Sequence, residues 1–334
     1  MPNILRNIAI CIFLLLMDSC KPNGEKKNNA ITAGSKLIVC CEGNFGWGNS
    51  DFDIYNLRSN ELNLKVYKAV NNASLGDVLQ SASIWNGYLY LVVNNSGKIV
   101  ALDTVNYIKQ DVIFGFNSPR YMQAITNQKA LVTDLYANKI YLMDRTNGIE
   151  QTFSVRGFCE GMAISDDEIA VACTKGVLYF FNKDQMQLSD SIELEKGSKK
   201  VIRLGNSFFT MCLKGSKSIM YEIQNKQATV TWDTSIHENQ YVSFAFNKIK
   251  NEWLFMQSNK LYSMSRNFKN LKVEYSNPSA NFYSISVNPT NGEVYISNAK
   301  DYVSAGEIIR LSSEYQFMHS AATGIIPGFT LLIE

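Results

Sequence analysis

Nine residues in turn-rich stretches carry side chains suited to holding a ligand without reacting with it. Trp47, Tyr136, Phe158 and Tyr302 offer rings to stack on, and Asn49, Asn95, Arg120, Gln257 and Asn298 offer amide or guanidinium hydrogen bonds. Arg120, which follows Pro119 at the start of a β-rich run, is the strongest single candidate, with an ion pair to a neighbouring element as its other reading. Groups able to carry a reaction are sparser. The only histidines are His237 and His319, and there is no paired-histidine metal motif and no glycine-flanked serine. His319 alternates with apolar residues, the pattern of a structural strand position, and His237 lies in a connecting segment. Asp77, Asp134, Glu160 and Asp301 make an acid/base or calcium set only if the fold brings them together. Asp103 and Asp144 precede turns, where an aspartate caps backbone amides. Gly43, Gly46 and Gly48 imitate a phosphate loop, but no helical pattern follows to supply an amino-terminal dipole. No catalytic residue, metal ligand or intrinsic cofactor is assigned.

The balance of charge excludes another class of partner. Thirty-two basic residues against thirty acidic give a formal +2, so charge does not suggest nucleic acid. With 334 residues, 46% hydrophobic and 19% charged, the chain can bury a sizeable core. Five cysteines beyond residue 20 (Cys40, Cys41, Cys159, Cys173 and Cys212) form no zinc spacing and, being odd in number, no evident disulfide framework. Most lie in or beside apolar strand-like runs, where a thiol serves as a small buried hydrophobe.

Arg6 precedes an apolar run from Ile8 to Met17, about half the roughly 20 residues of a membrane-spanning helix, which reads as a signal peptide over residues 1–19. Leu15 to Cys20 resembles a bacterial lipobox, and by that resemblance Cys20 becomes the lipidated first residue of the mature chain. Lys21 to Ser35, rich in Asn, Lys and Gly, reads as the rest of a flexible tether over residues 20–35. The expected place of work is a membrane surface, the outer membrane, with the cell surface favoured and a periplasmic orientation left open.

What must position the candidate ligand-binding residues is a repeat. Ile54, Ile99, Ile140, Val177, Ile219, Leu261 and Ile308 mark equivalent points in seven short β-branched and aromatic runs, with steps of 45, 41, 37, 42, 42 and 47 residues and a mean of about 42. Each is preceded by one strand-like run, from Leu37–Cys41 to Val294–Ser297, and followed by another, from Leu62–Tyr67 to Tyr315–His319, with turn signals such as Asn147-Gly148 between. A fourth, inner run begins the next unit: Leu79–Ile84, Tyr121–Ile125, Gly161–Ile164, Lys200–Arg203, Tyr241–Phe246 and Phe282–Val287. That makes six. The seventh is supplied if Phe329–Ile333 pairs with Leu37–Cys41, which closes the array and removes an exposed edge. The predicted fold is therefore an all-β seven-bladed β-propeller over residues 36–334, and the candidate residues fall on the face shared by interblade loops and loops joining second to third strands. Among the interblade loops is Thr323–Gly328.

Glu42-Gly43-Asn44-Phe45-Gly46, Ser118-Pro119-Arg120 and the segment Ala130–Asp144 resemble YncE-like propeller lipoproteins common in Bacteroidetes. Within that group are surface lipoproteins that capture cobalamin and pass it to a TonB-dependent outer-membrane transporter. The resemblance implies noncovalent binding of cobalamin or a related cobamide, without a reaction, and a TonB-dependent transporter as partner. A propeller hydrolase or lactonase, and a scaffold whose rim meets protein or glycan, remain as alternatives.

Overall fold

The computed structural model describes residues 35–233 and 243–333. The expected signal peptide, Cys20, the expected tether up to residue 34 and His237 lie outside the described residues.

Seven four-stranded antiparallel sheets make the seven blades of a β-propeller. Each blade runs outward from an inner strand beside the central channel. Blade 2 is Leu79–Trp85, Tyr88–Val93, Lys98–Asp103 and Lys109–Phe114; blade 3 is Pro119–Ala124, Lys129–Asp134, Lys139–Asp144 and Gly148–Ser154. Blade 4 is Cys159–Ile164, Glu168–Cys173, Val177–Asn182 and Gln187–Glu193; blade 5 is Val201–Leu204, Ser207–Lys214, Lys217–Gln224 and Gln227–Asp233. Blade 6 is Ser243–Asn247, Glu252–Gln257, Lys260–Ser265 and Lys272–Ser276; blade 7 is Phe282–Val287, Val294–Asn298, Ala305–Leu311 and Phe317–Ile325. Blade 1 is assembled from both ends of the sequence. Its inner strand, Pro327–Ile333, pairs antiparallel with Lys36–Cys41, from Lys36 opposite Ile333 to Cys40 opposite Phe329, and Asp51–Asn56 and Leu62–Asn63 complete the sheet. The expected closure is what the structure contains. It leaves blade 1 without the free inner edge that an unpaired Lys36–Cys41 would expose.

The second strands are nearly all apolar because they are covered on both faces by neighbouring blades. Leu89, Leu91, Val92 and Val93 are fully buried, as are Ile169, Val171 and Cys173. Outer strands are largely exposed, as in Gly148–Ser154 and Gln227–Asp233.

Three local expectations need correction. Leu62–Tyr67 is not one strand: the strand stops at Asn63, and Val66–Asn71 forms a short helix. The cause is tertiary, for the buried Asp51 accepts the Tyr67 and Lys68 amides at 2.8 and 3.0 Å and Asp53 accepts the Lys65 amide at 2.8 Å, so distant carboxylates do the work of an N-cap. Burial raises the pKa of both aspartates, against the lowering effect of those amides. Thr323–Gly328 is not a loop either. The outer strand of blade 7 runs to Ile325 and the next strand starts at Pro327, leaving Ile326 as the connector in a left-handed conformation (φ 50°) that β-branched residues rarely adopt. Finally, Cys159 and Cys173 form a disulfide. They lie 14 residues apart with no motif between them, and only the hairpin register of blade 4 sets them opposite each other. Cys40, Cys41 and Cys212 are buried free thiols, in keeping with the packing role.

Candidate functional site

The central channel has a volume of about 640 Å³ and is lined by residues from all seven inner strands together with Glu42. That size lies within the roughly 300–1,000 Å³ of small-molecule sites. The start of each inner strand lies at the face where second strands end, so one ring of side chains forms the throat of the channel there. Gln80, Arg120 and Glu160 recur in it every 40 residues, Tyr283 and Gly328 hold the same place in blades 7 and 1, and blade 5 contributes Lys199 and Lys200, with the blade 6 position outside the described residues.

Neighbours in the ring bind across blade boundaries. Arg120 donates from Nε and Nη2 to the same Glu160 oxygen, Oε2, at 2.9 and 2.8 Å, and from Nη1 to the side-chain Oε1 of Gln80. Burial works against the guanidinium's charge, but Glu160 more than offsets it, and the Arg120 pKa rises. Glu160 is 3% exposed. At the closing blade, Gly328 leaves the space that Glu42 fills, since a Cβ there would run into the Glu42 carboxylate. Tyr283 donates its hydroxyl to Glu42 Oε1 at 3.0 Å. Burial raises the Glu42 pKa, opposed by the Tyr283 hydrogen bond and Arg120 and reinforced by Glu160. Tyr121, beside Arg120, is pushed up to about 12, first by burial and then by Glu160. Lys200 donates to the Phe244 carbonyl at 2.8 Å with its ammonium 5.8 Å from that ring's centre, and burial pushes its pKa down to about 8. Deeper in the channel the wall mixes apolar groups such as Met162, Ile202, Phe246 and Leu331 with small hydroxyls, including the Ser286–Thr330 pair at 2.6 Å.

Of the nine residues singled out in the sequence, Arg120 lines the channel. Tyr302 stands next to it in effect, its ring meeting Tyr283 edge-on at 5.8 Å. Trp47 and Tyr136 project from the same face, 78% and 60% exposed, and Tyr136 meets the ring of Phe158 at 5.6 Å. The loop carrying Trp47 is nevertheless fixed: Asn49 and Asn44 bond each other through backbone and side chain at 2.8 and 3.1 Å, and Gly46 donates to Asp77 at 2.7 Å. Asn49 thus shapes a loop that presents an aromatic ring. Asn95 donates to Asp77 at 2.6 Å. Asn298 is buried, accepts the Asn281 and Lys300 amides at 2.8 and 3.0 Å, and donates to Glu307, so its amide is occupied in holding blade 7's loops. Gln257 ends the second strand of blade 6, half-buried.

The four carboxylates weighed as a set do not converge. Asp77 and Asp134 tie loop backbones, with Asp134 accepting the Asn117, Ser118, Tyr136 and Ala137 amides at 2.8 to 3.0 Å. Asp301 caps an exposed turn, whose amides lower its pKa to about 2, and Glu160 belongs to the throat. Among the described residues no three His, Cys, Asp or Glu side chains group as metal ligands. His319 is structural in its contacts, with Nδ1 2.9 Å from the Tyr55 hydroxyl of blade 1. Sequence reasoning missed Glu42, Gln80, Lys200 and Tyr283, and the phase shared with Arg120 was a signal for Gln80 and Tyr283 alone.

Residues 36–312 match the model of a family described as a domain of unknown function, DUF5074. No curated protein matches the sequence. Among solved structures, a quinonprotein alcohol dehydrogenase-like protein from Bacteroides thetaiotaomicron is similar over 88% of this chain and 77% of its own, with a TM-score of 0.67 at 13% identity. The hydrazine synthase of Kuenenia stuttgartiensis is similar over 73% and 86%, with a TM-score of 0.62 at 11% identity. The β-propeller domain of Cps50 (Swd1) from Myceliophteria thermophila is similar over 77% and 92%, with a TM-score of 0.60 at 13% identity. At such identities the likeness concerns the fold.

Proposed function

The chain belongs to the DUF5074 family, and we propose that it is a binding propeller that takes a bulky ligand or a partner surface on the face where the channel opens, without catalysing a reaction. One observation carries this reading. Phe45, Trp47, Tyr136 and Tyr302 stand 75, 78, 60 and 42% exposed on loops of that face, although the fold gains nothing from their exposure. Rings held out on hydrogen-bonded loops lose little freedom when they bind, which favours recognition.

The finer form of the proposal is a cobamide receptor anchored through Cys20 at the outer membrane that hands its cargo to a TonB-dependent transporter. A corrinoid carries many amides around an apolar ring and is far larger than a drug-sized ligand, so it would lie on the aromatic rim and send only an appendage into the throat. The Cys159–Cys173 disulfide supports an oxidising compartment, as an exported protein requires. In the test, the purified full chain is mixed with cyanocobalamin and passed through gel filtration. A red protein peak with a raised melting temperature is expected. A colourless peak, with no thermal shift from corrinoids or neutral oligosaccharides, would sink the small-molecule reading and leave the rim as a protein-binding scaffold.

A further inference from the structure

The lone arginine at the throat suggests a preference for anions, but its surroundings argue the opposite. Arg120 spends both Nε and Nη2 on a single Glu160 oxygen and Nη1 on Gln80. Its charge is therefore answered inside the protein. Two oxygens of the ring, Glu160 Oε1 and Glu42 Oε2, receive no donor among the described residues, although Glu160 is only 3% exposed and both side chains line the channel. A carboxylate oxygen held in a nearly buried position and facing an open cavity asks for an N–H or O–H from whatever enters. Charges of both signs meet in the channel, with Arg120, Lys199 and Lys200 on one side and Glu160 and Glu42 on the other. A carboxylate or phosphate would face the two acceptor oxygens directly, and an ammonium would face Arg120 and Lys200.

From this arrangement we infer that the throat selects an uncharged hydrogen-bond donor, a primary amide or hydroxyl-bearing appendage, and rejects its carboxylate counterpart. The inference rests on the proposed ligand-binding role and specifies the chemistry of the part that enters the channel. Amides and hydroxyls share that chemistry. They would come from different ligands, a corrinoid periphery or a glycan.

Equilibrium dialysis of the full chain at neutral pH separates these cases. One arm compares cyanocobalamin with its monocarboxylic acid derivatives, and the other compares a neutral oligosaccharide with a uronate-bearing one. In the arm that binds, the neutral form is expected to bind at least about tenfold more tightly, because a site built to receive a hydrogen bond penalises a ligand that cannot supply it. Glu160→Gln, which removes one negative charge and frees Arg120, should shrink that preference to about threefold or less. The double variant Arg120→Gln with Glu160→Gln removes both charges, guards against misfolding of the single variant, and should keep the preference. Equal or tighter binding of the carboxylates to the unaltered protein would overturn the inference while leaving the receptacle intact. So would a melting temperature raised by sulfate above that in sodium chloride of the same ionic strength. If no neutral ligand binds in either arm, the receptacle itself fails and the inference with it.

Discussion

Arg310 with Glu293 and Arg120 with Glu160 pair the same residue types in opposite circumstances. At the seam between blades 7 and 1, Arg310 meets both Glu293 oxygens, from Nε at 3.0 Å and Nη2 at 2.9 Å, and its Nη1 donates to the Leu57 carbonyl and to Asn60 at 2.7 and 2.9 Å. Tyr295 donates a further hydrogen bond to Glu293 at 2.9 Å. Every direction is occupied by protein. In the throat, Arg120 uses one Glu160 oxygen twice and leaves the other facing the channel. A saturated buried ion pair fastens a fold, whereas a partly buried pair with an acceptor left over beside a cavity is arranged for a visitor. The lesson is that burial and charge pairing do not separate structure from site; the unused hydrogen-bonding capacity does.

Removing one partner of each pair should separate them most clearly. Glu293→Ala leaves Arg310 unpaired in the interior and should cost about 3–5 kcal/mol in urea denaturation. Glu160→Ala should cost less, about 1–3 kcal/mol, because water in the channel reaches the freed guanidinium. Equal losses would dissolve the distinction drawn here.

Lys200 sharpens the comparison as a channel cation whose ammonium meets the Phe244 carbonyl and ring. Its pKa of about 8 in the folded protein lies below the ordinary lysine value near 10.5. Between those values the unfolded chain holds the proton and the native chain does not, so this group makes stability rise with pH from about 8 to 10.5. Below pH 8 both states are protonated and the cost of the buried charge is constant. Lys200→Met should remove that slope and raise stability at neutral pH by about 1–3 kcal/mol, measured by denaturation across the range. A parallel pH profile in both proteins would show the ammonium to be fully hydrated.

The rim should respond least in stability and strongly in binding. Trp47→Ala combined with Tyr136→Ala should shift unfolding by no more than about 0.5 kcal/mol, since neither ring supports the core. Affinity for whichever ligand passes the gel-filtration test should fall at least about tenfold. A large loss of stability would mean that these rings pack in a way their 78% and 60% exposure does not suggest.

The seven-fold repeat was legible because second and third strands are buried on both faces and must be written in β-branched and aromatic residues. Closure was legible for a related reason: Phe329 to Ile333 had no unit of its own while Leu37 to Cys41 lacked an inner neighbour. The helix at Val66–Asn71 was not legible, since its cap is supplied by Asp51 from another strand. Aromatic and amide residues in loops drew attention to the rim, and there Trp47 and Tyr136 are exposed while Asn298 is absorbed by the backbone. Local sequence does not tell an amide that binds a loop from one that awaits a ligand.

The sequence by itself determined the number of blades, the strands that close the array and the residues displayed on one face, because solvent and core act on each residue through its own side chain. Only the tertiary structure decided which charges meet. Gln80, Arg120 and Glu160 are separated by 40 residues at each step, and Glu42 reaches Tyr283 across 241, so their contacts exist only once a ring has placed equivalent positions around a common axis. Pairwise electrostatics and hydrogen bonding fall away within a few ångströms, and no pattern along the chain can stand in for that proximity.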